Sequence, residues 1–331
     1  MKRNWLSYMC MAALLSGALT SCNESSFLNL SDPNHFTESN FWKDKADAES
    51  ALAAAYSPIK GAMYGYFSAF DGWLNLNGRG DDIFTIKGEE VPMWNIANFL
   101  NSPSTGNDPY GALYSGIQRA NIVLRYIDQI PASGITEEDR SMIKGEALFL
   151  RGYQYFLLVN NYKEVPLRLI PSNEDETNKG PASEAALWTQ VEEDLGNAIK
   201  CNLPVERTTA KERVTKGAAI AMLGKVYATQ HKYPEAKQLL VSLLSAPYSY
   251  ELVDDFAKNF TNEEEFNKES VYEIAYSPDG EYSWSNESGI CLGCYIPQFI
   301  GPVKSGGWAK LMPNSFIVGE FTKETRPNGA D

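Results

Sequence analysis

The chain has 331 residues, 44% hydrophobic and 21% charged, a balance with ample material for a globular core. A formal net charge of -13 excludes a general attraction for nucleic acid, whose phosphates need clustered Lys and Arg. Beyond the N-terminus no stretch is long and apolar enough to cross a bilayer.

Lys2 and Arg3 precede an apolar run from about Trp5 to Leu19, too short to span a membrane and arranged like an export signal. Leu19-Thr20-Ser21-Cys22 resembles the bacterial lipobox, in which the cysteine takes up lipid before cleavage. This predicts a lipoprotein signal peptide over 1–21, lipidation at Cys22, and a tether over 22–40 leading to a helical domain over 41–331. Cys201, Cys291 and Cys294 remain, too few for a disulfide framework. A lone "CLGC" with only His35 and His231 far off in sequence gives no metal or redox site, so a local disulfide or packing is expected there, and no cofactor.

Asp44 predicts the cap of a first helix that Pro58 would end. The Gly- and Asn-rich stretch 61–109 lacks helical period, and a loop of that length is usually functional. Leu113, Ile117, Ala120 and Leu124 mark the next helix. Thr136 and Asp139 cap another, apolar nearly all round from Ala147 to Val159, with Gly145 and Gly152 placed for close helix approach. There Glu146 and Arg151 require an ion pair or buried hydrogen-bond partners. Leu187, Val191, Leu195 and Ala198 share one face of a helix followed by Pro204. Leu223-Gly224-Lys225-Val226-Tyr227, then Ala236 and Leu240, match tetratricopeptide spacing, with Gly152 and Tyr155 as a weaker echo. Two interrupted pairs are fewer than a solenoid needs, so other helices must close the bundle. "SVYEIAY" reads as a short strand, and 279–331 is again loop-rich. The expected fold is mainly α, a tetratricopeptide-like bundle with long aromatic loops and a few short strands.

The lipobox, "DPNHFTESNFWKDKADAESALAAAY", "YGALYSGIQRANIVL", "IKGEALFLRGYQYFLLVNNYKEVPL", "LWTQVEEDLGNAIKCNLP", "RVTKGAAIAMLGKVYATQHKYPEAKQLL" and "NKESVYEIAY" occur in that order. Together they resemble the SusD/RagB family of Bacteroidetes outer-membrane lipoproteins, from Cys22 to about Tyr276. Family members are usually longer, and C-terminal truncation is expected on that comparison. The resemblance implies a non-catalytic, outer-membrane, cell-surface protein. It would capture oligosaccharide and hand it to a SusC-like TonB-dependent transporter, acting as a lid held by Cys22.

A sugar site needs exposed flat aromatics beside amides, carboxylates or arginines. Non-periodic aromatics cluster in 61–109 and 279–331, which predicts these two regions as the ligand site. The candidates for ligand contact are Trp73, Trp94, Trp284 and Trp308, with Tyr66, Asn77, Arg79 and Tyr295 beside them. The other rings are expected to pack the loops onto the helices. The acidic run Asn262 to Phe266 reads as a solvated loop, and Arg79-Gly80-Asp81 as a chance tripeptide. A glycosidase would need two carboxylates across a cleft, and none of the familiar zinc, nucleophile-elbow or phosphate-loop motifs is present. A tetratricopeptide-like protein-interaction lipoprotein and a family member carrying peptide remain as alternatives.

Overall fold

The computed structural model describes residues 41–60, 67, 72, 77–85, 91–100, 109–175, 177–277 and 293–323. Cys22, Tyr66, Trp73, Trp284 and Cys291 lie outside them. In α1 (Lys45–Lys60) the Asp44 carboxylate accepts from the Ala46 and Asp47 amides at 2.9 and 3.2 Å, the predicted cap. Pro58 lies within the last turn of this helix and does not end it. Proline has no N–H for the carbonyl four residues back. That carbonyl, on Ala54, instead accepts from Arg119 Nη1 at 2.9 Å, so a neighbouring helix supplies the missing donor.

The stretch predicted to lack helical period contains β1 (Ile83–Phe84) and α2 (Val91–Ala97). Seven residues are too few to display a period, and α2 shows only Met93 and Ile96 as an inward pair. In α3 (Tyr110–Tyr126), Leu113, Ile117 and Ala120 are buried as predicted, but Leu124 is only half-buried. Val123 and the following Ile127 take the inward positions there.

Thr136 Oγ1 accepts from the Asp139 amide at 3.1 Å at the start of α4 (Glu137–Tyr162), whose residues from Ala147 to Val159 are almost all buried. Ser183 and Thr215 cap α5 (Glu184–Lys200) and α6 (Lys216–Thr229) in the same way, and α7 (Tyr233–Ser242) follows. A Cβ on Gly152 would stand 3.1 Å from Asp194 Cβ, and one on Gly224 only 2.7 Å from Leu240 Cδ2, so each glycine sets a close helix approach. The predicted pairs are α4 with α5 and α6 with α7; α1 and α3 pack on each other and on α4, adding the third pair the bundle needs.

The two charges inside α4 find separate partners. Glu146, fully buried, accepts from Arg207 and Arg213, both at 2.7 Å, and from Tyr56 Oη at 2.5 Å. Burial, then the negative Glu146, pushes the Tyr56 phenol well up and keeps it a donor. Arg151 makes a two-pronged contact with Asp194 at 2.6 and 2.8 Å and donates to Asn121 Oδ1 at 2.9 Å. The Glu146 bonds tie α4 to α1 and to the segment before α6, and the Arg151 bonds tie α4 to α5 and α3.

"SVYEIAY" forms no strand. Side chains rather than a backbone ladder hold the segment. Tyr276 Oη reaches the carbonyls of Lys60 and Phe67 at 2.9 and 2.6 Å, and Glu273 accepts from the Phe266 amide at 2.9 Å. The strand pair that does form joins β1 to β2 (Met312–Pro313), antiparallel, with Ile83 opposite Pro313 and Phe84 opposite Met312. Two short helices, α8 (Ile296–Ile300) and α9 (Ser315–Phe321), flank β2. Residues 44–331 make up one folded unit; of the separate segment 1–43, only Phe41 to Lys43 are described, with Phe41 and Trp42 edge to face at 5.2 Å. Among the described residues no helix is long and apolar enough to cross a membrane.

Candidate functional site

The two aromatic regions, separated by the whole helical stack in sequence, are joined in the fold. Met93 from α2, Tyr295 and Phe299 from the start and body of α8, and Leu311 beside β2 form a small buried core. Ile83, Ile296 and Trp308 pack against it. Met93 and Ile96 are three residues apart and share a face of α2, which leaves Trp94 half-buried at the edge of that face. The Asn98 side chain and amide both donate to the Trp94 carbonyl, at 2.7 and 3.1 Å, and terminate the helix.

Trp308 is placed by a return of the chain against α8. Its amide donates to the Gln298 carbonyl at 2.7 Å, and the Lys310 amide to the Phe299 carbonyl at 2.9 Å. A Cβ on Gly307 would stand 2.1 Å from the Gly301 carbonyl oxygen, so this close return requires glycine. The indole meets Phe299 edge to face at 6.1 Å and remains half-buried.

Asn314 ties the second region to the first. Its amide donates to the Asp82 carbonyl at 2.9 Å, and its side-chain nitrogen donates to the Asp81 carbonyl. Its side-chain oxygen accepts from the Ile317 amide at 2.9 Å, which caps α9. The turn before β1 closes through the Gly80 amide and the Asn77 carbonyl at 2.8 Å, leaving Asn77 exposed and Arg79 half-buried.

Of the residues expected to contact ligand, the structure brings Tyr295 and Trp308 to one small core, with Trp94 next to Met93 on α2 and Asn77 and Arg79 on the turn leading into β1. Tyr295 is only 7% exposed, and its ring is part of that core. Phe67, expected to pack, stacks on Tyr153 of α4 at 6.5 Å with 15° between the rings. Sequence reasoning missed Phe299 and Asn314, which hold the two regions together. Asn314 immediately before a short apolar run is a cap signal; nothing local identifies Phe299 as the central ring.

Residues 80–228 match the family described as SusD-like_3, "Starch-binding associating with outer membrane". The chain is 26% identical over 234 residues to SusD-like protein P38 of Formosa agariphila, a match that spans 70% of this chain and 43% of that protein. Its fold matches a SusD superfamily protein of Bacteroides vulgatus with a TM-score of 0.75 and 29% identity, covering 88% of this chain and 60% of the other. A laminarin-binding SusD-like protein matches with a TM-score of 0.67 and 29% identity, over 74% of this chain and 54% of that one. The chain therefore spans less than two thirds of each of these relatives.

Proposed function

We propose that the chain is a member of the SusD/RagB family and a non-catalytic glycan-binding lipoprotein of the outer membrane. The reading rests on one observation: the two aromatic regions, about 170 residues apart in sequence, share a core, with the half-buried indole of Trp308 packed against it and the half-buried Trp94 next to the core residue Met93 in the chain. Half-exposed indoles offer apolar faces to sugar C–H groups, while Asn77 and Arg79 offer an amide and a fixed donor to hydroxyls. Trp73, Trp284 and Tyr66 belong to the same two regions and complete the proposed contact set. Tyr295 would support the site from within.

Captured oligosaccharide would pass to a SusC-like TonB-dependent transporter, with Cys22 as the lipid anchor holding the chain at the cell surface. Exposed apolar side chains on and after α7, at Tyr233, Val241 and Leu244, support a docking role for the tetratricopeptide-like helices. The test is calorimetry of the full chain against a panel of oligosaccharides that includes laminarin fragments, repeated with Trp94→Ala and Trp308→Ala. Selective binding that weakens in both variants is expected. Turnover of any glycan, or no binding by folded protein, would overturn the reading.

A further inference from the structure

A separate cavity of about 300 Å³ lies beside the start of α6, between the segment leading into that helix and the irregular stretches around Tyr248 and Val271. That volume is at the lower end of small-ligand pockets and suits one or two sugar rings. Tyr248 and Tyr250 both line the cavity. Their rings are nearly parallel, 11° apart with centroids at 6.1 Å. Gly217 makes room for them: a Cβ there would stand 2.1 Å from Tyr250 Oη.

The charged groups of the lining sort into two kinds. Arg207 is taken up by Glu146, Lys268 by Glu251, and Glu273 by the Phe266 amide. Among the described residues, Glu206 and Lys211 have no ion pair or hydrogen bond, and neither does the Tyr248 hydroxyl. An anionic ligand would meet Glu206 and Glu273; a cationic one would meet Lys211, Arg207 and Lys268. Vicinal hydroxyls both donate and accept, and they match a carboxylate and an ammonium that line the same cavity without partners of their own. An aromatic pair beside them supplies the apolar face that a pyranose ring requires.

We propose that this cavity is a second saccharide site, for a neutral mono- or disaccharide unit, distinct from the Trp94 and Trp308 region. No tryptophan lines it, so occupancy leaves indole emission unchanged. The full chain would be titrated with glucose, galactose, mannose, cellobiose, laminaribiose and glucuronate by calorimetry and by saturation-transfer NMR. These titrations would be repeated on Tyr248→Ala, Lys211→Ala and the Trp94→Ala/Trp308→Ala double variant. Tyr248 is half-buried and Lys211 exposed, so both variants should keep the native circular dichroism. The expected result is a neutral sugar bound without change in indole emission, weakened roughly tenfold by either cavity variant and retained by the tryptophan double variant. Binding that is unchanged in Tyr248→Ala, lost in the double variant, strongest for glucuronate, or absent for every sugar overturns the proposal. Absence of any indole-linked oligosaccharide response in the wild-type chain would count against the loop site and leave this one standing.

Discussion

Replacing Phe299 with alanine tests whether the two aromatic regions form one unit. The ring is fully buried among Met93, Tyr295 and Leu311 and meets Trp308 edge to face at 6.1 Å. Burial of such a ring is worth roughly 1.5–3 kcal/mol, and the cavity left behind raises the cost of Phe→Ala to about 3–5 kcal/mol. The aromatic contact with Trp308 adds about 0.5–1.5 kcal/mol. Among the described residues this core has four buried members, Phe299 included, and the β1–β2 pair that assists it is two residues long on each side. A loss of this size should therefore release the unit locally, while the helical pairs, held by their own core, keep their structure. Far-UV circular dichroism should barely change. Indole emission should shift to the red, protease sensitivity should appear on both sides of the helical stack, and oligosaccharide binding should fall by at least an order of magnitude. Phe299→Leu, which keeps most of the volume, should recover most of the binding. Unchanged indole emission and unchanged cleavage in Phe299→Ala would refute the reasoning, because the two regions would then be held together by something other than this core.

Glu146→Gln removes the fully buried carboxylate and leaves Arg207 and Arg213, both half-buried, beside a neutral amide, with Glu49 as the remaining ionic partner of Arg213. It should cost about 3–5 kcal/mol, a fall in melting temperature on the order of 10 °C for a domain of this size, read by thermal denaturation. Arg119→Met strands the Ala54 carbonyl that Pro58 cannot serve, and chemical denaturation should report a loss of about 1 kcal/mol. The Lys45 ammonium, helped by the Thr136 hydroxyl, holds the Asp139 carboxyl below its ordinary value of 3.8. A depressed carboxyl contributes stability above its unfolded pKa and loses it as pH falls through the folded value. The gap between wild type and Asp139→Asn should therefore be present at pH 5 and above and close on acidification below about pH 4, as followed by denaturation at a series of pH values. Cys22→Ser should move the chain from the membrane fraction to the soluble fraction after cell lysis, a direct check on lipid anchoring.

The helices could be read from the sequence because their signals are local. Asp44, Thr136, Ser183 and Thr215 each accept from an amide two or three residues on, and apolar spacing fixes which face turns inward. The glycines were legible for a related reason: a residue without a side chain inside a helical run implies a neighbour pressed against it, as Leu195 is against Gly152. Chemistry alone also required partners for Glu146 and Arg151, but not which ones. Arg213 and Asp194 come from segments with no marker in sequence that points back to α4.

The strand was misplaced because β structure depends on a partner that sequence does not name. "SVYEIAY" has the composition of a strand but pairs with no strand among the described residues, whereas Ile83–Phe84 and Met312–Pro313, with no strand pattern of their own, find each other across 228 residues. The same long-range contact decides the candidate site. Composition alone marked two aromatic regions as places where rings gather outside the helices. Only the tertiary structure made them one unit and sorted the rings, placing Tyr295 and Phe299 in its core and leaving Trp94 and Trp308 half-buried, because burial is set by what the distant chain brings alongside.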